Sequence, residues 1–454
     1  MKRDLTKGGI YKNLWIMSVP TMIGFTAQMV YDLVDIFWIG KISGSAVAGV
    51  TIFSTLFWLL STLNDIIGQS SVSLISQKYG NKDIKGTNLA IEQTITFKCF
   101  MALISMVVFV LFIRPMVGFF TTEKAVIDSA MDYGYIRLFF LPIMFSSYSV
   151  NTALRCIGDA KTPMIIMFVT SIINIVLDPL LMFSTIPGTN IPGLGMGVFG
   201  AGLATVISQT TAFLIGFIYL FSGKAHIKPS IKGLFKLDWS IDKKLLTIGL
   251  PNGIQAFLRN LSGAAIMKFV SMYGTSVVAS VGVGNRIFGL AFMPLVGIEM
   301  GSGTIIGQNL GAEKVERAEK TAHASAIVSV IFMAIFTLIC WLFGDQIIAC
   351  FNNDSKIVLQ GAEYLRYGSL GLIALAVGFG LSPVFGGSGY NMPFVVASLI
   401  SRWVIQIPLL FLFINVLKLG TLWVWLSYVF GDIVESAIYI VYYRIGKWKQ
   451  KRVY

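Results

Sequence analysis

The chain has 454 residues, of which 55% are hydrophobic and 13% are charged, and its mean hydropathy is +0.76. This composition excludes a soluble fold of such length and predicts a polytopic membrane protein. The net charge of +13 would also suit a nucleic-acid-binding protein, so the positions of the basic residues must be compared with the predicted spans.

Twelve apolar runs are each long enough to cross a bilayer as a helix, which takes about 20 residues. They cover residues 14–40, 47–76, 88–113, 133–153, 161–185, 198–222, 245–270, 278–306, 321–343, 358–385, 393–416 and 422–444. A membrane β-barrel would show short alternating segments instead. We therefore predict an all-α polytopic membrane protein, and we expect its first span to remain in the mature chain.

The Lys and Arg residues collect on one side of these spans. With both termini in the cytoplasm, 23 of the 35 lie in inner segments and five lie in outer ones. Cytoplasmic segments of membrane proteins carry such an excess of basic residues. The charge is thus explained without a nucleic-acid partner, and the pattern predicts cytoplasmic termini. The abundance of Lys, Ile and Asn, together with the lack of a targeting peptide, favours the plasma membrane of a prokaryote.

The two halves of the chain resemble each other at an offset of 231 residues. Matching landmarks are Pro20 with Pro251, "VAGV" at 47–50 with "VASV" at 278–281, "QKYGNKD" at 77–83 with "QNLGAEK" at 308–314, and Tyr133 with Tyr364. An internal repeat of six spans predicts two parallel, pseudo-symmetric six-helix lobes. The predicted domains are an N-lobe at 1–222, a cytoplasmic linker at 223–244 and a C-lobe at 245–454. Two such lobes suit a transporter that rocks between two states.

The fifth span contains a carboxylate, in "NIVLDPLLM" at 174–182. Asn174 lies one helical turn before Asp178 on the same face, and Pro179 removes a backbone hydrogen-bond donor beside it. A charge inside a bilayer is costly, which makes this pair a candidate ion or proton site. The alternative is that Asp178 lies at a helix end and reaches water.

The first span carries Gln28, Asp32 and Asp35 about one helical turn apart. Asp35 is the second candidate carboxylate, unless it lies in the outer water layer, and Asp32 could cap a helix, be solvated or line a cavity. Two carboxylates and an amide suit Na+, a hard cation, but two close carboxylates can also share a proton. The coupling ion is therefore Na+ or H+, and we expect no cofactor.

Two further charged residues and several methionines inside the predicted spans are candidates for a structural or binding role. Arg259 in span 7 and Glu299 in span 8 are predicted to form a structural ion pair, with a second coupling site as the alternative. Met29 is among the methionines that could line a cleft for flat organic cations. Neither HExxH nor GxSxG occurs, so we do not expect an enzyme.

Several motifs occur in a characteristic order: "VDIFWIG", "SQKYGNKD" with its echo "GQNLGAEK", "ALRCIGDAKTP", "NIVLDP", "GVFGAGLAT" and "GNRI". Together they resemble the multidrug and toxic compound extrusion family over nearly the whole chain. The resemblance implies two six-helix lobes and an antiporter that couples entry of Na+ or H+ to export of organic, often cationic, compounds. We expect a monomer surrounded by membrane lipid.

The resemblance also implies roles for individual residues. It is to the bacterial and archaeal branch, whose cation site in the N-lobe would here consist of Asp35, Asn174 and Asp178. The resemblance also places Thr205 at this cation site, and it places Gln28 and Tyr133 nearby, where we expect them to contact substrate in a cavity together with Asp32 and Met29. Another branch has a glutamate eight residues after the proline of span 7, where this chain has Arg259, so a C-lobe site of that type is not expected. A lipid-precursor or polysaccharide flippase of the same superfamily is the alternative function.

Overall fold

The structure is a computed structural model that describes residues 4–351 and 354–453. The helices of the first half are α1 (Ile10–Gly40), α2 (Gly44–Gly80), α3 (Ile84–Phe120), α4 (Lys124–Phe139), α5 (Leu141–Cys156), α6 (Lys161–Met182) and α7 (Gly197–Phe221). Those of the second half are α8 (Trp239–Ser271), α9 (Thr275–Gly311), α10 (Val315–Ala349), α11 (Ser355–Leu381), α12 (Pro383–Ser388), α13 (Met392–Ser398), α14 (Ile407–Phe411), α15 (Thr421–Ile445) and α16 (Lys447–Gln450). A 3₁₀ helix covers Ile231–Phe235, and π-helical turns cover Leu399–Gln406 and Leu412–Val416.

Ten helical segments of the described chain are long and apolar enough to cross a membrane. Two predicted spans are missing from that set. The span predicted at 133–153 is divided at Phe140 into α4 and α5, because Pro142 has no N–H to continue the hydrogen bonds of α4. The span predicted at 245–270 forms α8, which carries Arg259 and Lys268 and is less apolar. With these two, the all-α polytopic fold of about twelve spans is confirmed.

The internal repeat is visible in the backbone. Helix α2 begins at Gly44 and α9 begins at Thr275, 231 positions later, and both contain 37 residues. Gly158 and Gly389 stand at equivalent positions and have φ angles of 87° and 77°. Glycine adopts this left-handed conformation without the penalty that a side chain incurs. The aligned glycines therefore mark the same turn in both halves.

The described chain divides into two compact units whose boundaries differ from the predicted ones. The first unit contains Ile23–Thr247, and the second contains Leu5–Met22 together with the chain from Ile248 onward. Residues 5–22, which we predicted to be part of the N-lobe, thus group with the second half. The predicted linker at 223–244 is part of the first unit.

Hydrogen bonds to backbone groups account for both reassigned segments. In the first unit, Gln93 of α3 donates to the carbonyl of Lys236 at 2.7 Å and accepts from the amide of Asp238 at 2.9 Å. In the second unit, Arg317 of α10 donates to the carbonyls of Lys7 and Gly8 at 2.9 and 2.7 Å. These bonds depend on tertiary contacts, so apolar runs in the sequence do not reveal them.

Two glycines let α7 approach its neighbours in the first unit. A Cβ atom at Gly202 would lie 2.8 Å from the carbonyl oxygen of Tyr133 on α4, and one at Gly200 would lie 2.7 Å from the carbonyl carbon of Leu181 on α6. Neither distance leaves room for a side chain. The start of α7, the end of α6 and the middle of α4 are consequently held close together, and these are the places that carry Thr205, Asp178 and Tyr133.

Candidate functional site

The carboxylate of Asp35 is buried in the first unit and is bonded to a tyrosine. Its Oδ2 accepts a hydrogen bond from the Tyr133 hydroxyl at 2.9 Å, and that hydroxyl accepts one from Nη1 of Arg137 at 2.7 Å. Tyr133 and Arg137 are one turn apart on α4, so their side chains share a face of the helix. The Arg137 guanidinium also lies 4.7 Å from the ring centre of Phe57, within cation–π distance. The result is a continuous chain of contacts from Arg137 through Tyr133 to Asp35.

The second half of the site comes from α6 and α7. Asn174 and Asp178 are both fully buried, and Thr205 is 3% exposed. With the amide of Asn174 turned so that its nitrogen faces Asp178, Nδ2 donates to Asp178 Oδ2 at 3.2 Å and Oδ1 accepts from the backbone amide of Thr205 at 3.3 Å. The structure therefore brings Asn174, Asp178 and Thr205 together, and Asp178 does not lie in water at a helix end.

Both carboxylates keep an oxygen without a partner. Oδ1 of Asp35 and Oδ1 of Asp178 are buried and accept no hydrogen bond from any described residue. The negative charges of Asp35 and Asp32 repel a charge on Asp178, whereas the positive charge of Arg137 attracts the carboxylate of Asp35. An ionised carboxylate with an unsatisfied oxygen is costly in a dry interior. This arrangement is suited to bind a small hard cation or to hold a proton.

The predicted cavity residues lie in different surroundings. Gln28 donates through Nε2 to the hydroxyl of Tyr148 at 3.2 Å and lines a small cavity of the first unit with Tyr148. Asp32 is exposed, Met29 is half-buried, and neither lines this cavity. Of the residues predicted to contact substrate, Gln28 thus faces a cavity, whereas Tyr133 is bonded to Asp35.

The ion pair predicted between Arg259 and Glu299 is wrong. Nη2 of Arg259 donates instead to Oε1 of Glu435 on α15, and Glu299 accepts a hydrogen bond from the Ser382 hydroxyl at 3.4 Å. Glu435 has no exposed surface, so it requires a cation more strongly than the half-buried Glu299 does. The prediction failed because it considered only the neighbouring spans 7 and 8.

A second arginine, Arg402, binds Glu435 together with another acid of α15, Asp432. Nη2 of Arg402 lies 2.7 Å from Oδ1 of Asp432 and 3.2 Å from Oε2 of Glu435, and its Nη1 donates to Gln406 at 2.8 Å. No role was predicted from the sequence for Asp432, Glu435 or Arg137. The signal that could have revealed them is the same that revealed Asp178, a charged residue inside an apolar span.

A sequence model of the MatE family matches residues 20–180 and, a second time, residues 251–412. The two matches begin at Pro20 and Pro251, which are also the first aligned landmarks of the internal repeat. Each match ends in the span that follows the shared glycine turn. The family thus accounts for both halves of the chain and confirms the resemblance seen in the motifs.

Individual relatives cover almost the whole chain. The sequence is 27% identical to the probable multidrug resistance protein YoeA of Bacillus subtilis, over 99% of this chain and 96% of that protein. It is 25% identical to the probable multidrug resistance protein NorM of Thermotoga maritima, over 98% of this chain and 94% of that protein.

Solved structures share the fold. One of them is a MOP superfamily transporter from Pyrococcus furiosus, with a TM-score of 0.90 and 22% identity over 97% of this chain and 96% of that chain. Another is a multidrug resistance MATE family transporter in an outward-facing conformation, with a TM-score of 0.89 and 23% identity over the same shares. The match of the family model to both halves shows that the chain belongs to the MatE family, whose members are multi-pass membrane transporters rather than enzymes.

Proposed function

We propose that the protein is a secondary active antiporter that exports organic cations in exchange for Na+ or H+. Its relatives in Bacillus subtilis and Thermotoga maritima are described as probable multidrug resistance proteins, which supports export of small organic molecules. A chain of two repeats supports alternating access by rocking. The observation that carries the proposal is the pair of buried, unpartnered carboxylate oxygens on Asp35 and Asp178.

The side chains around these oxygens suit either coupling ion. Na+ prefers several hard oxygen ligands, and no three His, Cys, Asp or Glu side chains of the described residues converge on a possible metal position. Ligation of Na+ would therefore need neutral oxygens from Asn174 or Thr205 and from water. The Thr205 hydroxyl donates to the carbonyl of Ala201 at 3.2 Å, which leaves its lone pairs for a cation. A proton would instead be held by Asp35 or Asp178, on the carboxylate oxygen that has no partner among the described residues.

Uptake of the ion would lower the free-energy cost of excluding water from the two carboxylates in the first unit. Neutralised carboxylates can be enclosed in a dry interior much more cheaply than charged ones. Pro179 lies directly after Asp178, and α6 ends at Met182, so a bend at this proline moves only the last helical turn. That turn is bonded to the following loop, since Leu180 accepts from Leu194 and Leu181 accepts from Met196, both at 2.8 Å. We propose that this turn and its loop respond together to ion uptake.

Replacing Pro179 by Ala should slow efflux severalfold without changing which ion drives it. Alanine supplies the N–H that proline lacks, so the carbonyl of Ile175 gains a helical partner and the last turn of α6 becomes stiffer. The measurement is the initial rate of dye efflux from liposomes. Pro163→Ala is the matched control, because Pro163 lies in the first turn of α6, where proline costs little. Equal rates in both variants would mean that Pro179 has no conformational role.

The coupling itself is tested with purified protein in liposomes that contain ethidium, a fluorescent organic cation. A Na+ gradient and a pH gradient are imposed separately. We expect one of them to drive ethidium out against its own gradient, and we expect a matching ionophore, monensin for Na+ or nigericin for H+, to stop the efflux. If neither gradient moves the dye faster than in protein-free liposomes, the antiporter proposal is wrong.

A further inference from the structure

The second unit contains a cavity that the proposed coupling site does not use. Its volume is about 310 Å³, at the lower end of the range for sites that hold drug-sized molecules. Aromatic rings form much of its wall: the rings of Phe288 and Tyr364 lie 5.1 Å apart, and those of Tyr364 and Tyr428 lie 6.0 Å apart. Such rings favour flat aromatic ligands, which stack on them or meet them edge to face.

The carboxylates near this cavity are already neutralised. Asp432 lines it and is paired with Arg402, which also lines it. Glu435 accepts from both Arg402 and Arg259. The two arginines thus balance the two acids, so this cluster has no net charge, and a ligand in the cavity is selected by the hydrogen-bond donors that the cluster leaves free.

Some N–H groups of Arg259 form no hydrogen bond with the described residues. One nitrogen, Nη2, is bonded to Glu435, while Nε is buried and has no hydrogen-bond partner among the described residues. A guanidinium carries five N–H groups in a planar fork, which matches the two oxygens of a carboxylate. Nε itself is enclosed, but the side chain as a whole is one-third exposed, at 33%, and lines the cavity, so a ligand can reach the terminal nitrogens of the guanidinium.

Asn285 supplies another donor on the same wall. Its Oδ1 accepts a hydrogen bond from the Tyr364 hydroxyl at 2.8 Å, so the amide nitrogen is the part left for a ligand. The free polar groups of Arg259 and Asn285 are therefore both donors. A cavity that combines donors with aromatic walls selects a ligand with an acceptor group on a flat ring system.

We propose that this cavity binds aromatic organic acids, with the carboxylate or sulfonate on Arg259 and Asn285 and the ring system between Phe288, Tyr364 and Tyr428. The inference goes beyond the proposed function, because it adds a ligand class of opposite charge to the exported cations. It does not depend on which ion drives transport. Binding at equilibrium is enough to test it.

The test is equilibrium dialysis of the purified full-length protein with three matched probes: 2-naphthoate, its neutral amide 2-naphthamide, and the cation 2-naphthylmethylammonium. Protein-free micelles correct for partitioning into detergent. Wild type should bind the acid at least about tenfold more tightly than the amide, because charge-assisted bonds to a guanidinium are strong, and it should bind the cation most weakly. Equal affinity for acid and amide, or tighter binding of the cation, would overturn the proposal.

Two variants show whether the preference for the acid depends on the Arg259 guanidinium or on positive charge elsewhere in the protein. Arg259→Gln should remove the preference for the acid. Arg286→Gln should keep it, since Arg286 is exposed and does not line the cavity. If Arg259→Gln does not purify as a folded protein, Leu372→Trp, which fills the cavity, should lower binding of all three probes at least about tenfold. Retained preference in Arg259→Gln, or undiminished binding in Leu372→Trp, would contradict the assignment. Because no gradient is used, failure of antiport would not affect this result.

Discussion

Asp178→Asn and Asp35→Asn should each lower the rate of gradient-driven efflux of ethidium at least about tenfold, which corresponds to about 1.4 kcal/mol in the activation free energy of transport. Asparagine keeps the size of the side chain but cannot bear the charge that Na+ or H+ neutralises. The loss should be large because both carboxylates are buried and each has an oxygen that no described residue satisfies. The measurement is the initial efflux rate under the gradient that drives the wild type.

A control variant distinguishes lost coupling from lost structure. Asp128→Asn changes a carboxylate on α4 to which we assign no role in the site, and it should transport at the wild-type rate. All three variants should elute as folded protein of the same size. If Asp35→Asn and Asp178→Asn respond to the gradient as the wild type does, the acidic cluster is structural, and Glu299 becomes the next candidate for coupling.

The architecture followed from the sequence because the bilayer imposes it. A spanning helix must be about 20 residues long and apolar, and an internal repeat places the same boundaries twice. The prediction was weakest where a local feature interrupts this rule. The break at Phe140 depends on Pro142, and the assignment of residues 5–22 to the second unit depends on hydrogen bonds from residues such as Arg317. A hydropathy profile reveals neither the helix break nor these hydrogen bonds.

The candidate site was predictable to the extent that helix geometry fixes it. Asn174 and Asp178 face the same way because they are four residues apart on one helix, and the structure places them together. Tyr133 and Asp35 are 98 residues apart in the chain, so spacing alone could not predict their contact, and the family resemblance suggested only that the two lie near each other. Arg137 was missed because its role depends on its hydrogen bond to Tyr133.

The same backbone carries different chemistry in the two halves. Tyr133 and Tyr364 occupy equivalent positions and are 3% and 2% exposed, yet Tyr133 donates to a carboxylate and Tyr364 donates to the amide oxygen of Asn285. A repeat conserves helix boundaries and packing, since these depend on apolar residues and glycines. The group that accepts a hydrogen bond from each tyrosine hydroxyl lies on another helix, so it differs between the halves and is found only from the three-dimensional structure.

Arg402→Met should be the most destabilising of the single substitutions considered, by about 3–5 kcal/mol, because it leaves buried carboxylates without their main cation. Asp432 is 5% exposed and Glu435 is fully buried, and Arg402 contacts both. Glu435 would keep Arg259, whereas Asp432 would lose its only ion pair among the described residues. The check is the midpoint of thermal unfolding of the purified protein in detergent.

Two further variants show whether Arg402→Met loses stability because the buried Asp432 carboxylate is left unpaired. Arg366→Met breaks the pair between Arg366 and Asp345, whose side chains are 31% and 47% exposed, and should lower stability by only about 0–1 kcal/mol because solvent screens such pairs. Adding Asp432→Asn to Arg402→Met removes the unpaired charge at nearly constant volume and should recover much of the loss. If Arg402→Met melts at the same temperature as Arg366→Met, or if Asp432→Asn lowers the midpoint further, the arginine acts through packing and not through neutralisation of the buried acids.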